Sequence, residues 1–216
     1  STYYERIMGA EEVDFIFRGE AELAFPKFLS EIEQEVPKLS EIKGLVYRDG
    51  EKFLTNDPDR EENLDLITRP DYDAIRLDYY VNNGYRWNSP PKVNAPVWVT
   101  RGCPYRCRYC VSGTQFGKIR NFSLDRVKEE IDYLRHNAKN RFLRFSDDNF
   151  GIIKHDLEIA KFVRNCFDKY QYPKALKVYS AKKQNDRTRE VGLILKPLMT
   201  YCISFQTTTK EVLKET

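Results

Sequence analysis

The chain holds few of the residues that usually build metal and redox sites: two histidines, two methionines, two tryptophans and five cysteines in 216 residues. It also lacks any apolar run near the roughly 18 residues a membrane-spanning helix needs, and no signal-peptide pattern opens it. No long Lys/Arg block is present, and the formal charge is only +3. Nothing in that balance demands a nucleic-acid or membrane partner. An odd cysteine count in a chain without a secretory signal argues against a disulfide framework. Reduced thiols in a soluble, cytoplasmic protein are the expectation, and they point to metal binding or catalysis. The 41% apolar and 13% aromatic content supports a globular fold with a buried core.

Both ends read as cut. The chain begins "STYYERIMGAEEVDFIFRGEAE" without an initiator Met, and stops at "TKEVLKET" in the first turn of an amphipathic pattern. A fragment of a longer protein is therefore expected. Near the start, Val13–Phe17 reads as a strand that turns at Gly19 into a helix over 20–34, with Glu20 and Glu22 in its first turn complementing the dipole. "IKGLVYRDGEKFL" is a hairpin pattern, two β-rich runs joined by Asp49-Gly50. From 55 to about 92 the sequence is rich in Pro, Asp, Asn and Tyr with little periodicity, and reads as an ordered linker. Its Tyr/Asn-rich part at 79–91 fits a binding loop or interdomain packing equally well.

After Pro91 strands and helices alternate. "APVWVT" is a strand, followed by a cysteine-rich loop. "SLDRVKEEIDYLRHN" is a helix with Ser123 as N-cap and Leu124, Val127, Ile131 and Leu134 on one stripe. "RFLRFS", "ALKVYSA" and "YCISFQT" are further strands, with helices at 156–170, 187–199 and from about Thr208. Four β/α units in a row imply an α/β fold, a parallel sheet or part of a (β/α) barrel. In such folds functional residues gather at the C-terminal ends of the strands.

The loop "TRGCPYRCRYC" places Cys103, Cys107 and Cys110 directly after the first strand of that series. Three thiolates are one short of a closed structural zinc, which takes four protein ligands. A fourth would have to come from Cys166, Cys202, His136 or His155, none of which lies in a second Cys-x-x-Cys pair. A [4Fe–4S] cluster holds each iron through one thiolate, so three cysteines leave one iron open to another ligand. A zinc module and an electron-transfer iron–sulfur protein are the alternative readings.

"CPYRCRYC" matches the CxxxCxΦC motif of the radical S-adenosylmethionine (SAM) superfamily, with Tyr109 at the aromatic position. The stretch from Arg101 to Ile131 resembles cobalamin-binding members of that superfamily. So do "VDFIFRGEAE", the end of their cobalamin domain; "IKGLVYRDG" with "RPDYDAI", their linker; and "RFSDDNF" and "ISFQTTTKEVLK", barrel strands. The cobalamin signature Asp-x-His-x-x-Gly is not found in the chain. The resemblance implies a division into 1–54, the tail of a Rossmann-like cobalamin domain, 55–92, a linker, and 93–216, the first part of a radical SAM barrel. It implies an enzyme that starts radical chemistry by reductive cleavage of SAM, with cobalamin-dependent methyl transfer as one reaction. The cofactors would be a [4Fe–4S] cluster, SAM and cobalamin. The partners would be a small-molecule or peptide substrate and an electron donor such as flavodoxin or ferredoxin.

The same resemblance assigns Cys103, Cys107 and Cys110 to the cluster. It places Ser146, Asp147 and Asp148 where the superfamily often has Gly-Gly-Glu contacting the SAM amino group. Ser180, Ser204 and Gln206 fall on strands that carry polar SAM contacts, and Tyr109 beside the adenine. On the residues alone, Asp147 or Asp148 could equally cap the next turn, and Ser204 and Gln206 share one strand face inside the barrel. Arg120 fits a carboxylate contact or a surface pair. Cys166 and Cys202 read as buried core thiols, and His136 as a cation at a helix end.

Overall fold

A computed structural model of the chain describes residues 3–58, 60–74, 94–105, 107, 110, 117–137, 141–181, 186–199 and 208–213. It falls into two compact units, 1–68 and 69–216.

In the first unit, α1 (Tyr3–Met8) is followed by β1 (Phe15–Phe17), α2 (Ala24–Ile32), β2 (Leu45–Asp49) and β3 (Lys52–Thr55). The hairpin expected at Asp49-Gly50 is β2–β3, with Asp49 opposite Lys52, and β1 adds to β2 antiparallel to give the order β1-β2-β3. Ala24, Phe28, Ile42 and Leu45 form the core under that sheet, with Phe17 packed on it. The Phe28 ring meets Phe15 and Phe17 edge-on at 4.7 and 5.4 Å. Gly44 is needed where two segments nearly touch: its φ is +70°, and a Cβ there would lie 2.5 Å from the Arg18 carbonyl oxygen. That closeness lets the Arg18 N–H reach the Gly44 carbonyl at 2.8 Å.

The helix expected over 20–34 starts later, at Ala24, so Glu20 and Glu22 precede it and lend nothing to its first turn. Pro26 explains the correction. As third residue of α2 its missing N–H costs nothing, whereas a helix begun at Glu20 would place Pro26 in the interior, against a carbonyl one turn back.

In the second unit β4 (Asn94–Val97), β7 (Phe142–Phe145) and β8 (Ala175–Lys177) form a parallel sheet in the order β4-β7-β8. Between β4 and β7 lie a small antiparallel ribbon, β5 (Thr100–Arg101) with β6 (Arg120–Asn121), and helix α3 (Leu124–Asn137). α4 (Lys154–Tyr170) crosses from β7 to β8, followed by α5 (Asp186–Leu195) and α6 (Lys210–Leu213). The strand expected at 201–207 lies outside the described residues.

Helix starts are set by side chains. The Ser123 hydroxyl accepts the Arg126 N–H at 3.2 Å, as an N-cap should. One Asp156 oxygen accepts the N–H groups of Gly151, Ile152 and Ile153 at 2.8, 2.9 and 3.2 Å, which ties the turn after β7 to the first turn of α4. α3 buries Val127, Ile131 and Leu134, and α4 buries Ile159, Ala160, Val163 and Cys166. α3 also buries Glu130. Its carboxyl, pushed up by burial, meets the Tyr72 hydroxyl at 2.5 Å and the Arg126 guanidinium at 2.9 Å. With Arg69 stacked 3.5 Å over the Tyr133 ring, and Tyr133 bonded to Asp73, this fastens residues 69–74 to α3.

Candidate functional site

Parallel strands bring their C-terminal ends to one edge. At that edge β4 leads through Val99 and Thr100 into the cysteine loop, β7 into 146–150, and β8 into Ser180. The loops are joined: the Ser146 N–H donates to the Val97 carbonyl at 2.9 Å, the Phe150 N–H to the Tyr179 carbonyl at 2.8 Å, and Phe150 bridges Ser180 in parallel. Cys103, Cys107, Ser146, Asp147, Asp148 and Ser180 thus belong to one set of connected strand-end loops. Tyr109, Ser204, Gln206 and Cys202 lie outside the described residues.

Cys103 and Cys107 are free thiols, each 6% exposed, and Cys110 is half-buried. The Cys110 N–H donates to the Cys107 carbonyl at 3.0 Å and closes a turn between the last two. Burial pushes the Cys103 thiol up, against hydrogen bonds from the Tyr105 backbone and the Asn149 side chain that favour the thiolate. Asn149 Nδ2 donates to Cys103 Sγ at 3.0 Å. Nothing in the residue pattern singled out Asn149; its only sequence signal is its place four residues past β7.

The two aspartates of the β7 loop differ. Asp147 is 2% exposed, and its Oδ1 accepts both the Thr100 N–H and, at 2.7 Å, the Thr100 hydroxyl. It therefore pins the start of the cysteine loop to the end of β7. Burial raises its carboxyl to about 7, and its Oδ2 is buried without a hydrogen-bond partner among the described residues. Asp148 is exposed, and its charge acts on Cys103. Arg101, at the foot of the loop, has its guanidinium 4.7 Å from the Trp98 ring and 6.0 Å from Phe122. Arg120, opposite it on β6, is buried.

This donor set suits soft iron–sulfur chemistry. Among the described residues no three His, Cys, Asp or Glu side chains converge to hold a single metal ion. A closed zinc site takes four protein ligands, whereas a four-iron cube takes each thiolate on a different iron. The helices also carry two of the spare ligands away. Cys166 and His136 each sit twelve residues beyond the strand-end start of α4 or α3, about 18 Å along the axis. Cys166 is buried and its thiol is pushed up to about 11 by burial; His136 Nδ1 lies 2.8 Å from the Asp132 carbonyl oxygen.

Three cysteines close in sequence, at the C-terminal edge of a parallel β/α sheet, fit a protein that holds a cofactor through thiolates. Residues 97–216 match the family model described as the Radical SAM superfamily, and the chain belongs to that superfamily, whose cofactors are a [4Fe–4S] cluster and SAM. The chain is 34% identical over 145 residues to an uncharacterised methyltransferase of Pyrococcus horikoshii, covering 66% of this chain and 30% of that protein. It is 30% identical over 213 residues to the cobalamin-dependent radical SAM methyltransferase TokK of Streptomyces tokunonensis, covering 94% of this chain and 30% of TokK. Among solved structures, the radical SAM methyltransferase TsrM of Kitasatospora setae, with cobalamin and a [4Fe–4S] cluster bound, superposes with a TM-score of 0.64 at 16% identity. That match covers 90% of this chain and 38% of TsrM, and it shows the shared fold. The chain thus spans about a third of the length of these relatives. Among the described residues no helix is long and apolar enough to cross a membrane.

Proposed function

We propose that this chain is part of a radical SAM methyltransferase, and that its own residues supply the cluster-binding half of the site. The observation that carries the reading is the Cys103, Cys107 and Cys110 loop seated at the strand ends, with Asn149 donating to Cys103. Bound there, the cluster and SAM supply one-electron reductive cleavage of a sulfonium carbon–sulfur bond.

The protein's part is to hold and to shield. Cys103, Cys107 and Cys110 are the ligands. Asp147, locked to Thr100, fixes where the loop leaves β4. Asp148, exposed beside Cys103, offers the carboxylate that a SAM ammonium requires. Ser146 and Ser180 line the same edge as hydrogen-bonding groups, with Tyr109, Ser204 and Gln206 assigned to SAM by the family pattern. Cobalamin as methyl carrier, held by the part of the protein to which residues 1–54 belong, is supported by the match to TokK over 94% of the chain. On this reading 55–92 is the linker and 93–216 the opening of the barrel. The electron donor would be a flavodoxin or ferredoxin.

Anaerobic reconstitution with iron and sulfide tests the core of this reading. The expected result is a cluster whose iron and sulfide content is lost in Cys107→Ala. Stoichiometric zinc in place of iron, in protein prepared without air, would overturn it.

A further inference from the structure

The parallel sheet carries two cations opposite each other on its less buried face. Leu143, Phe145 and Leu176 are buried on one side, while Arg144 and Lys177 alternate onto the other. The strand register sets Arg144 directly opposite Lys177 on neighbouring β7 and β8. Like charges at such positions oppose strand pairing. Neither makes an ion pair among the described residues. Both instead approach one ring: the Arg144 guanidinium lies 5.3 Å and the Lys177 ammonium 5.9 Å from the centre of Tyr179. Arg144 Nη2 donates to the Tyr179 hydroxyl at 3.2 Å, while its Nε is buried and has no partner among the described residues. Tyr179 is 44% exposed, and Trp98, following β4, is 40% exposed. A guanidinium, a second cation and an aromatic floor are the elements of an anion site.

We propose that Arg144 and Lys177, floored by Tyr179, bind a carboxylate or phosphate group of the substrate. An anion between them replaces a like-charge contact by two attractions, which accounts for a pairing that fold stability alone disfavours. Taking the ligand to be the substrate rests on the proposed function; the anion site itself stands on the sheet register.

Thermal unfolding of the chain, titrated with inorganic pyrophosphate or with succinate against sodium chloride at equal ionic strength, tests the site. The melting temperature is expected to rise with at least one probe, and the arm that responds names phosphate or carboxylate. Arg144→Gln and Lys177→Gln should each weaken the response about tenfold, and Lys177→Gln should not lower the basal melting temperature. In reconstituted protein, SAM binding by equilibrium dialysis should be unchanged in both variants. No rise with either probe, or an equal rise in the variants, overturns the site. A parallel loss of SAM affinity assigns it to SAM and overturns the substrate assignment. The cluster's own response to SAM is read separately, so failure here leaves the radical SAM reading to its own test.

Discussion

Asp147→Asn probes how the cysteine loop is held. The Asp147 carboxyl is raised from 3.8 to about 7, first by burial, with the nearby Asp156 charge adding to it and the Thr100 hydrogen bonds opposing it. Because the folded pKa lies above the unfolded one, the native state keeps a proton that the unfolded chain releases between about pH 4 and pH 7. Stability from this group is full below that window and is lost as pH rises through it. Between about pH 5 and pH 8 the loss is about 3 kcal/mol. The asparagine variant cannot ionise, yet keeps an oxygen where Oδ1 accepts from Thr100. Wild type should therefore lose about 3 kcal/mol relative to Asp147→Asn across that range. Asp156, also raised by burial, to about 6, contributes a slope of the same sign to both proteins and largely cancels. The assay is urea unfolding followed by tryptophan fluorescence, since Trp98 lies in the unit spanning 69–216. A difference that stays constant with pH, or wild type gaining on the variant as pH rises, would refute the argument that burial governs this carboxyl.

Three further outcomes are expected. Asn149→Ala removes the donor to Cys103 Sγ and should shift the cluster midpoint potential several tens of millivolts more negative, measured by redox titration; an unchanged potential would deny the contact in the loaded protein. Asp156→Ala strips the acceptor from three backbone N–H groups and should cost about 3 kcal/mol or more in chemical denaturation, with Asp156→Asn costing less. Gly44→Ala forces a Cβ to 2.5 Å from the Arg18 carbonyl and should destabilise the first unit by more than about 1 kcal/mol, read by hydrogen exchange in β1 and β2.

What was legible in the sequence is what local pattern encodes. Ser123 and the stripe Val127, Ile131 and Leu134 mark α3, and Asp49-Gly50 marks the hairpin, while the spacing of Cys103, Cys107 and Cys110 after a strand carries the proposed cluster site. Long-range pairing was not legible. Thr100 and Asp147 are 47 residues apart, Cys103 and Asn149 46, and Tyr72 and Glu130 58. Each contact exists only because β4 and β7 run side by side or because 69–74 folds back on α3. Arg144 faces Lys177 for the same reason: register is a property of two strands, not of either one. The late start of α2 was recoverable from Pro26, whose tolerance in a first turn outweighs the acidic residues before it.

The central claim is an open iron held by three thiolates and occupied by SAM. Electron paramagnetic resonance of the anaerobically reconstituted, reduced protein, recorded with and without SAM, tests it most directly. A [4Fe–4S]⁺ signal that changes on adding SAM and is absent in Cys107→Ala is expected. A signal indifferent to SAM, or one that survives the loss of Cys107, would contradict it.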